Sequence, residues 1–148
     1  MHIPKSNLAL AELKFSYTNF PQIVTIENTT QAAEVLLTLW NEQCQCKEPR
    51  RYVLFLDGNN QLIAWENLTM NFEQGYCARE IAGLALACNA RSVIFSYHRL
   101  DNSTPNAADR ELVVSTFKIC ETILVDILDY LLISPNEHLS YKAWLLTN

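Results

Sequence analysis

His98, Asp109 and Glu66 are the residues of this sequence whose types and spacing could do chemistry. His98 stands just past a buried-looking apolar run at 92–97. Asp109 follows after ten intervening residues, about one turn into a predicted helix. Glu66 lies near the end of a second predicted strand. In an α/β sheet, groups at strand ends and helix starts converge on one crevice. An imidazole, a carboxylate and one further ligand could hold zinc there, and a neighbouring Glu could activate its water. Each residue also has a plain structural role. A His after a strand is more often hydrogen-bonded or on the surface, and an Asp in a first turn complements the helix dipole. Glu66 can simply face solvent, and on spacing alone these structural readings weigh more. Cys44 and Cys46 form a lone C-x-C with no second pair and no nearby His, which does not make a zinc knuckle. Three glycines, widely separated, leave no Gly-rich phosphate loop, so Rossmann and P-loop chemistries fall away.

The elements needed to position such residues can be read from the pattern. Segments 10–17 and 23–26 read as extended, separated by Pro21. Thr29 or Thr30 is expected to cap a helix whose Ala33, Leu36, Leu37 and Trp40 fall on one face. The run 52–56 is continuously apolar, as in a strand covered on both faces. Asp57-Gly58-Asn59-Asn60 then predicts a turn, with 61–68 returning as the second strand of a hairpin. A second amphipathic helix carries Ile81, Leu84, Ala85 and Cys88, and 92–97 is another strand. Thr104-Pro105 predicts the cap and first position of a third helix reaching about Glu121. Segments 126–133 and 138–141 read as strands before the tail. Strand-rich segments alternating with helices call for an α/β fold, a mixed β-sheet flanked by helices.

The same segments carry a family resemblance. Ala87-Cys88-Asn89-Ala90-Arg91-Ser92-Val93-Ile94-Phe95-Ser96-Tyr97-His98 resembles the RadC-like pattern LNASAVILAHNH, and 102–109 resembles its DPTPSxAD. Upstream, 54–64 is similar to LLLDxxNxLI, and Ala78-Arg79-Glu80-Ile81 to PREI. Downstream, 124–133 is similar to GIxVLDHIII, and 138–146 to the closing YxSFxEEGLL. The resemblance runs in unbroken order over roughly residues 30 to 148. It implies one RadC-like JAB/MPN domain of cytidine deaminase-like architecture over 1–148, with 1–29 as an amino-terminal arm and 30–148 as the core. It also implies a JAMM site: an upstream Glu, then H-x-H, seven residues, Ser, two residues and Asp. In that motif both His and the Asp bind zinc, the Glu activates the water, and the Ser stabilises the oxyanion.

Carried over residue by residue, Glu66 matches the Glu, Ser96 the first His, His98 the second His, Asn106 the Ser and Asp109 the Asp. The expectation is a cleft containing Ser96, His98 and Asp109, with Glu66 on its wall. Two departures make this metal set degenerate. Ser96 is a poor zinc ligand, and Arg99 adds positive charge beside the metal position. Ser96→His is therefore the change expected to restore zinc affinity.

Composition narrows the function. A net charge of -5 and a pI near 5.1 argue against a general grip on nucleic acid. No apolar run reaches the roughly 20 residues that span a bilayer, and no signal peptide is legible at the start. Five cysteines at irregular spacing read as reduced thiols in a cytoplasmic protein. The expectation is a catalytically inactive relative of zinc metallopeptidases, acting as an interaction module for an unknown protein or peptide, with a homo-oligomer as one form. No cofactor is expected, or zinc if the site works. A zinc-dependent hydrolase with Asp101, Tyr97 or a partner chain supplying the missing ligand is the alternative. A DNA-repair role is a distant third.

Overall fold

The computed structural model describes residues 16–17, 23–68, 74–101 and 104–148. The architecture is α/β, a mixed sheet flanked by helices, as the sequence predicts. The described elements, in order, are β1 (Ser16–Tyr17), α1 (Thr29–Cys44), β2 (Arg50–Leu56), β3 (Leu62–Asn67) and α2 (Gln74–Ala87). They continue as β4 (Ser92–His98), α3 (Ala107–Thr122), β5 (Asp126–Ile133), β6 (His138–Ser140) and α4 (Tyr141–Thr147). Strand order is β1-β3-β2-β4-β5-β6. β4 runs parallel to β5 and antiparallel to β2, and the α3 crossover between β4 and β5 is the connection a parallel pair requires.

Both sheet faces are covered. Tyr52, Leu54, Leu56, Ile94, Leu131 and Ile133 pack on one face against Ala33, Leu36 and Trp40 of α1. Val53, Phe55, Val93, Phe95, Tyr130 and Leu132 pack on the other against Ile81 and Ala85 of α2 and Leu112 of α3. This alternation follows from the period of two along a strand. It decides which side chains near the end of β4 can meet α3.

Several local expectations are corrected. Asn28, one residue before the expected threonines, caps α1 by accepting from Gln31 N at 2.9 Å. α3 begins two residues later than predicted, with Asn106 as cap instead of Thr104. The reason is a capping box: Asn106 Oδ1 accepts from Asp109 N at 3.0 Å, and Asp109 Oδ2 accepts from Asn106 N at 2.9 Å. The last strand, expected over 138–141, ends at Ser140, and the tail, for which no element was expected, forms α4, with Ser140 Oγ accepting from Ala143 N at 3.1 Å. Of the extended segment expected at 10–17, Ser16 and Tyr17 are seen, paired with β3. The rest lies outside the described residues.

Asn106→Ala is expected to cost about 0.5–2 kcal/mol, because it removes one half of the box at a helix start facing solvent. Urea unfolding of the variant against the unmodified protein checks this; an unchanged midpoint would contradict it.

Candidate functional site

β4 is central to the sheet, and its ladder to β5 runs one residue beyond the strand, since Arg99 N donates to Ile133 O at 2.7 Å. Alternation therefore continues through residue 99. Tyr97 and Arg99 project toward α2 and α3, and Ser96 and His98 project toward α1. The expected cluster of Ser96, His98 and Asp109 does not form.

Ser96 and His98 are together, but in the wrong place for the expected site. Ser96 Oγ lies 2.9 Å from His98 Nε2. His98 is fully buried, with its ring 4.8 Å from Trp40 and 5.0 Å from Tyr52, both in edge-on contact. Trp40 Nε1 donates to Glu48 O at 2.7 Å, and the Tyr52 hydroxyl donates to Gln43 Oε1, so both rings are anchored at their polar ends. Burial among these groups pushes the imidazole pKa down to about 3. His98 is thus a neutral core residue whose Nδ1 has no hydrogen-bond partner.

Asp109 sits across the sheet, buried in the first turn of α3. Its Oδ1 accepts from Arg99 Nη2 at 2.5 Å and from the Tyr130 hydroxyl at 2.9 Å, and its Oδ2 takes the Asn106 amide. Arg99 is itself buried and lies over the Tyr97 ring at 4.8 Å; Arg51, from β2, lies over the same ring at 4.0 Å. Burial, and then the Asp109 charge, raise the Tyr130 pKa, so its hydroxyl stays a donor. A cavity of about 400 Å³ opens here, walled by Arg51, Tyr97, Arg99, Asn106 and Asp109 with Pro49, Leu100 and Ala108.

Glu66 is on this second face, opposite Val53 and in phase with Ala64, but it does not line the cavity. Its Oε1 accepts from Asn67 N at 3.1 Å, and Oε2 is buried without a hydrogen bond. Burial raises its pKa, and Glu80 adds to the shift against the Asn67 amide.

These donors do not fit a zinc ion. His98 and Asp109 are on opposite faces, and Asp109 is already bound by a guanidinium, a hydroxyl and an amide. Among the described residues no group of three or more His, Cys, Asp and Glu side chains could hold a metal.

Comparison with known proteins decides the lineage. A family model described as the RadC-like JAB domain matches residues 26–145. The chain belongs to the RadC-like JAB domain family. Curated relatives include a UPF0758 protein of Actinobacillus pleuropneumoniae serotype 5b, 32% identical over 94 residues, covering 61% of this chain and 42% of that protein. A UPF0758 protein of Histophilus somni strain 2336 is 33% identical over 99 residues, covering 63% and 44%. UPF0758 protein YkfG of Escherichia coli K12 is 32% identical over 93 residues, covering 60% and 58%. The matched part spans about half the length of these relatives. Among the described residues of this JAB domain, no helix is long and apolar enough to cross a membrane.

Sequence reasoning missed Arg51 and Tyr130, and it named Tyr97 only as an alternative ligand and Arg99 only as a charge beside the metal position. One signal could have placed Tyr97 and Arg99 in the site itself. With Asn89-Ala90 set on the Asn-Ala of LNASAVILAHNH, Val93-Ile94 fall on its Val-Ile, and the histidine columns fall on Tyr97 and Arg99. The interval to Asn106 then holds six residues instead of seven.

Proposed function

We propose that this chain is a non-catalytic RadC-like JAB domain, a binding module for a protein or peptide, with the Arg99 guanidinium standing in for the metal that the JAMM motif implies. The observation that carries the reading is the buried Arg99–Asp109 pair on the α3 face of β4. A guanidinium supplies a fixed positive charge next to the retained Asp, but it cannot bind a water and lower its pKa as zinc does. The one-residue shift of the histidine columns supports the same reading.

The hydrolase alternative requires a metal beside two guanidiniums. Tyr97 and Asp101 do line the cleft, yet Arg51 and Arg99 carry charge of the metal's own sign and oppose its entry. The net charge of -5 weighs against a DNA-processing role. Five free cysteines favour a reducing, cytoplasmic setting.

Zinc titration of the purified protein against a chromogenic chelator tests the proposal. The expected result is no zinc held more tightly than about micromolar, where a built site would contribute on the order of 10 kcal/mol or more. One equivalent of chelator-resistant zinc, lost in Asp109→Ala, would overturn the proposal and favour the hydrolase.

A further inference from the structure

We propose that the outer face of α3 is a self-complementary interface, on which a second copy of this chain docks with its own α3 running antiparallel. This goes beyond the binding-module reading and does not rest on it.

α3 packs inward through Asp109, Leu112, Thr116 and Cys120, which are buried. On another face Arg110, Val114, Phe117 and Glu121 recur at intervals of four, three and four residues. At about 100° per residue these four fall in a stripe about 60° wide. All four are exposed, and Val114 and Phe117 are 41% and 54% accessible, large apolar groups set in water. Leu145 of α4, also exposed, extends the patch, because it and Phe117 line one largely apolar groove of about 260 Å³. Joined apolar groups flanked by charge mark contact surfaces, whereas single exposed ones do not.

The order of the charges selects the occupant. Arg110 lies near the start of α3 and Glu121 in its last turn. Each stands at the end of the helix where the dipole disfavours its sign. Neither makes an ion pair among the described residues. An antiparallel copy of α3 compensates both at once. A two-fold axis midway between Val114 and Phe117 is also midway between Arg110 and Glu121. That axis sets Val114 of each copy against Phe117 of the other, and Arg110 of each against Glu121 of the other. Such reciprocity is what a two-fold interface requires. The seam runs about 16 Å along the helix, with an apolar centre and an ion pair at each end. A foreign helix has no reason to carry the same four residues at the same spacing.

Sedimentation equilibrium of the full chain over about 10 μM to 1 mM tests this. The mass is expected to rise from one chain toward two. The dissociation constant should be on the order of 0.1 mM, as suits a patch at the small end of specific interfaces. Arg110→Glu sets glutamates against each other at both ends of the seam, and Glu121→Arg does the same with arginines. Each variant alone should associate about ten-fold or more weakly. An equimolar mixture of the two should recover the affinity, because every end then pairs opposite charges. The double variant Arg110→Glu/Glu121→Arg should recover it as well. Phe117→Ser, which removes the apolar centre, should leave the chain monomeric and serves if a charge variant misfolds. An unmodified chain that stays monomeric throughout that range would leave this face to another partner and overturn the proposal. So would a dimer indifferent to both charge reversals, or one that the mixture fails to restore.

Discussion

Arg99→Met is expected to lower the free energy of unfolding by about 3–5 kcal/mol, a large share of the total for a domain of this size. The substitution keeps most of the side-chain volume and removes the charge. Asp109 is then left 2% exposed, with its charge facing a hydroxyl and an amide and no cation at Oδ1. Breaking a buried pair is costly for this reason, even where replacing both partners is not. The double variant Arg99→Met/Asp109→Asn should therefore be less destabilised than the sum of the two single changes, by about 1–3 kcal/mol. An exposed pair gives the contrast. Arg50 and Glu48 meet at 2.9 Å, but the glutamate is 64% exposed, and Arg50→Met should cost no more than about 1 kcal/mol. Equilibrium urea unfolding of the four variants and the unmodified protein is the measurement. An Arg99→Met midpoint within error of the unmodified protein would show that Asp109 does not depend on the guanidinium.

The second large effect is a loss of stability in acid that belongs to His98. Its folded pKa is about 3, against 6.5 for the unperturbed imidazole, because burial penalises the cation. As pH falls below 6.5 the unfolded chain takes up a proton that the folded chain refuses. The stabilising contribution is complete above pH 6.5 and is lost progressively toward pH 3, at about 1.4 kcal/mol per pH unit. By pH 4.5 the loss amounts to about 2–3 kcal/mol. Glu66 acts in the opposite sense, since its raised pKa makes the folded state take up its proton first on acidification. The difference between the unmodified protein and His98→Asn isolates the imidazole. The variant's unfolding free energy should vary less between pH 7 and pH 4.5 by that same amount, about 2–3 kcal/mol. Parallel pH profiles for the two proteins would place His98 in contact with water or with an anion.

The strands were legible in the sequence because their apolar runs are short and bounded by turn signals, and helices α1 to α3 because their apolar residues recur at helical spacing. The orientation of β4 was not. Val93, Ile94 and Phe95 are all buried, two against α2 and α3 and one against α1. A strand covered on both faces shows no alternation, so nothing in the apolar run says which face a given residue takes. A slip of one residue then exchanges the two faces entirely. That slip carried the expected ligands onto Ser96 and His98, where they form a buried dyad under α1. Asp109 was found because its motif lies in the capping segment of α3, downstream of the shortened loop. Tyr130 and Arg51 carry no local signal at all, since their roles arise from neighbouring strands. The α4 helix was missed because it begins one residue after β6, with Ser140 serving as both strand end and cap.

The central claim is that the histidine columns of the JAMM motif correspond in this chain to Tyr97 and Arg99, facing Asp109. Restoring histidines in each of the two registers tests it most directly, with zinc or cobalt(II) affinity as the readout. Tyr97→His/Arg99→His presents two imidazoles on the face of Asp109 and removes the resident cation. Its affinity for zinc should rise by orders of magnitude, with the intense visible absorption of a tetrahedral site on cobalt loading. Ser96→His places its new imidazole beside His98 under α1, away from Asp109, and should bind metal no better than the unmodified protein. Tight zinc in Ser96→His that depends on Asp109, with none in the double variant, would contradict the account.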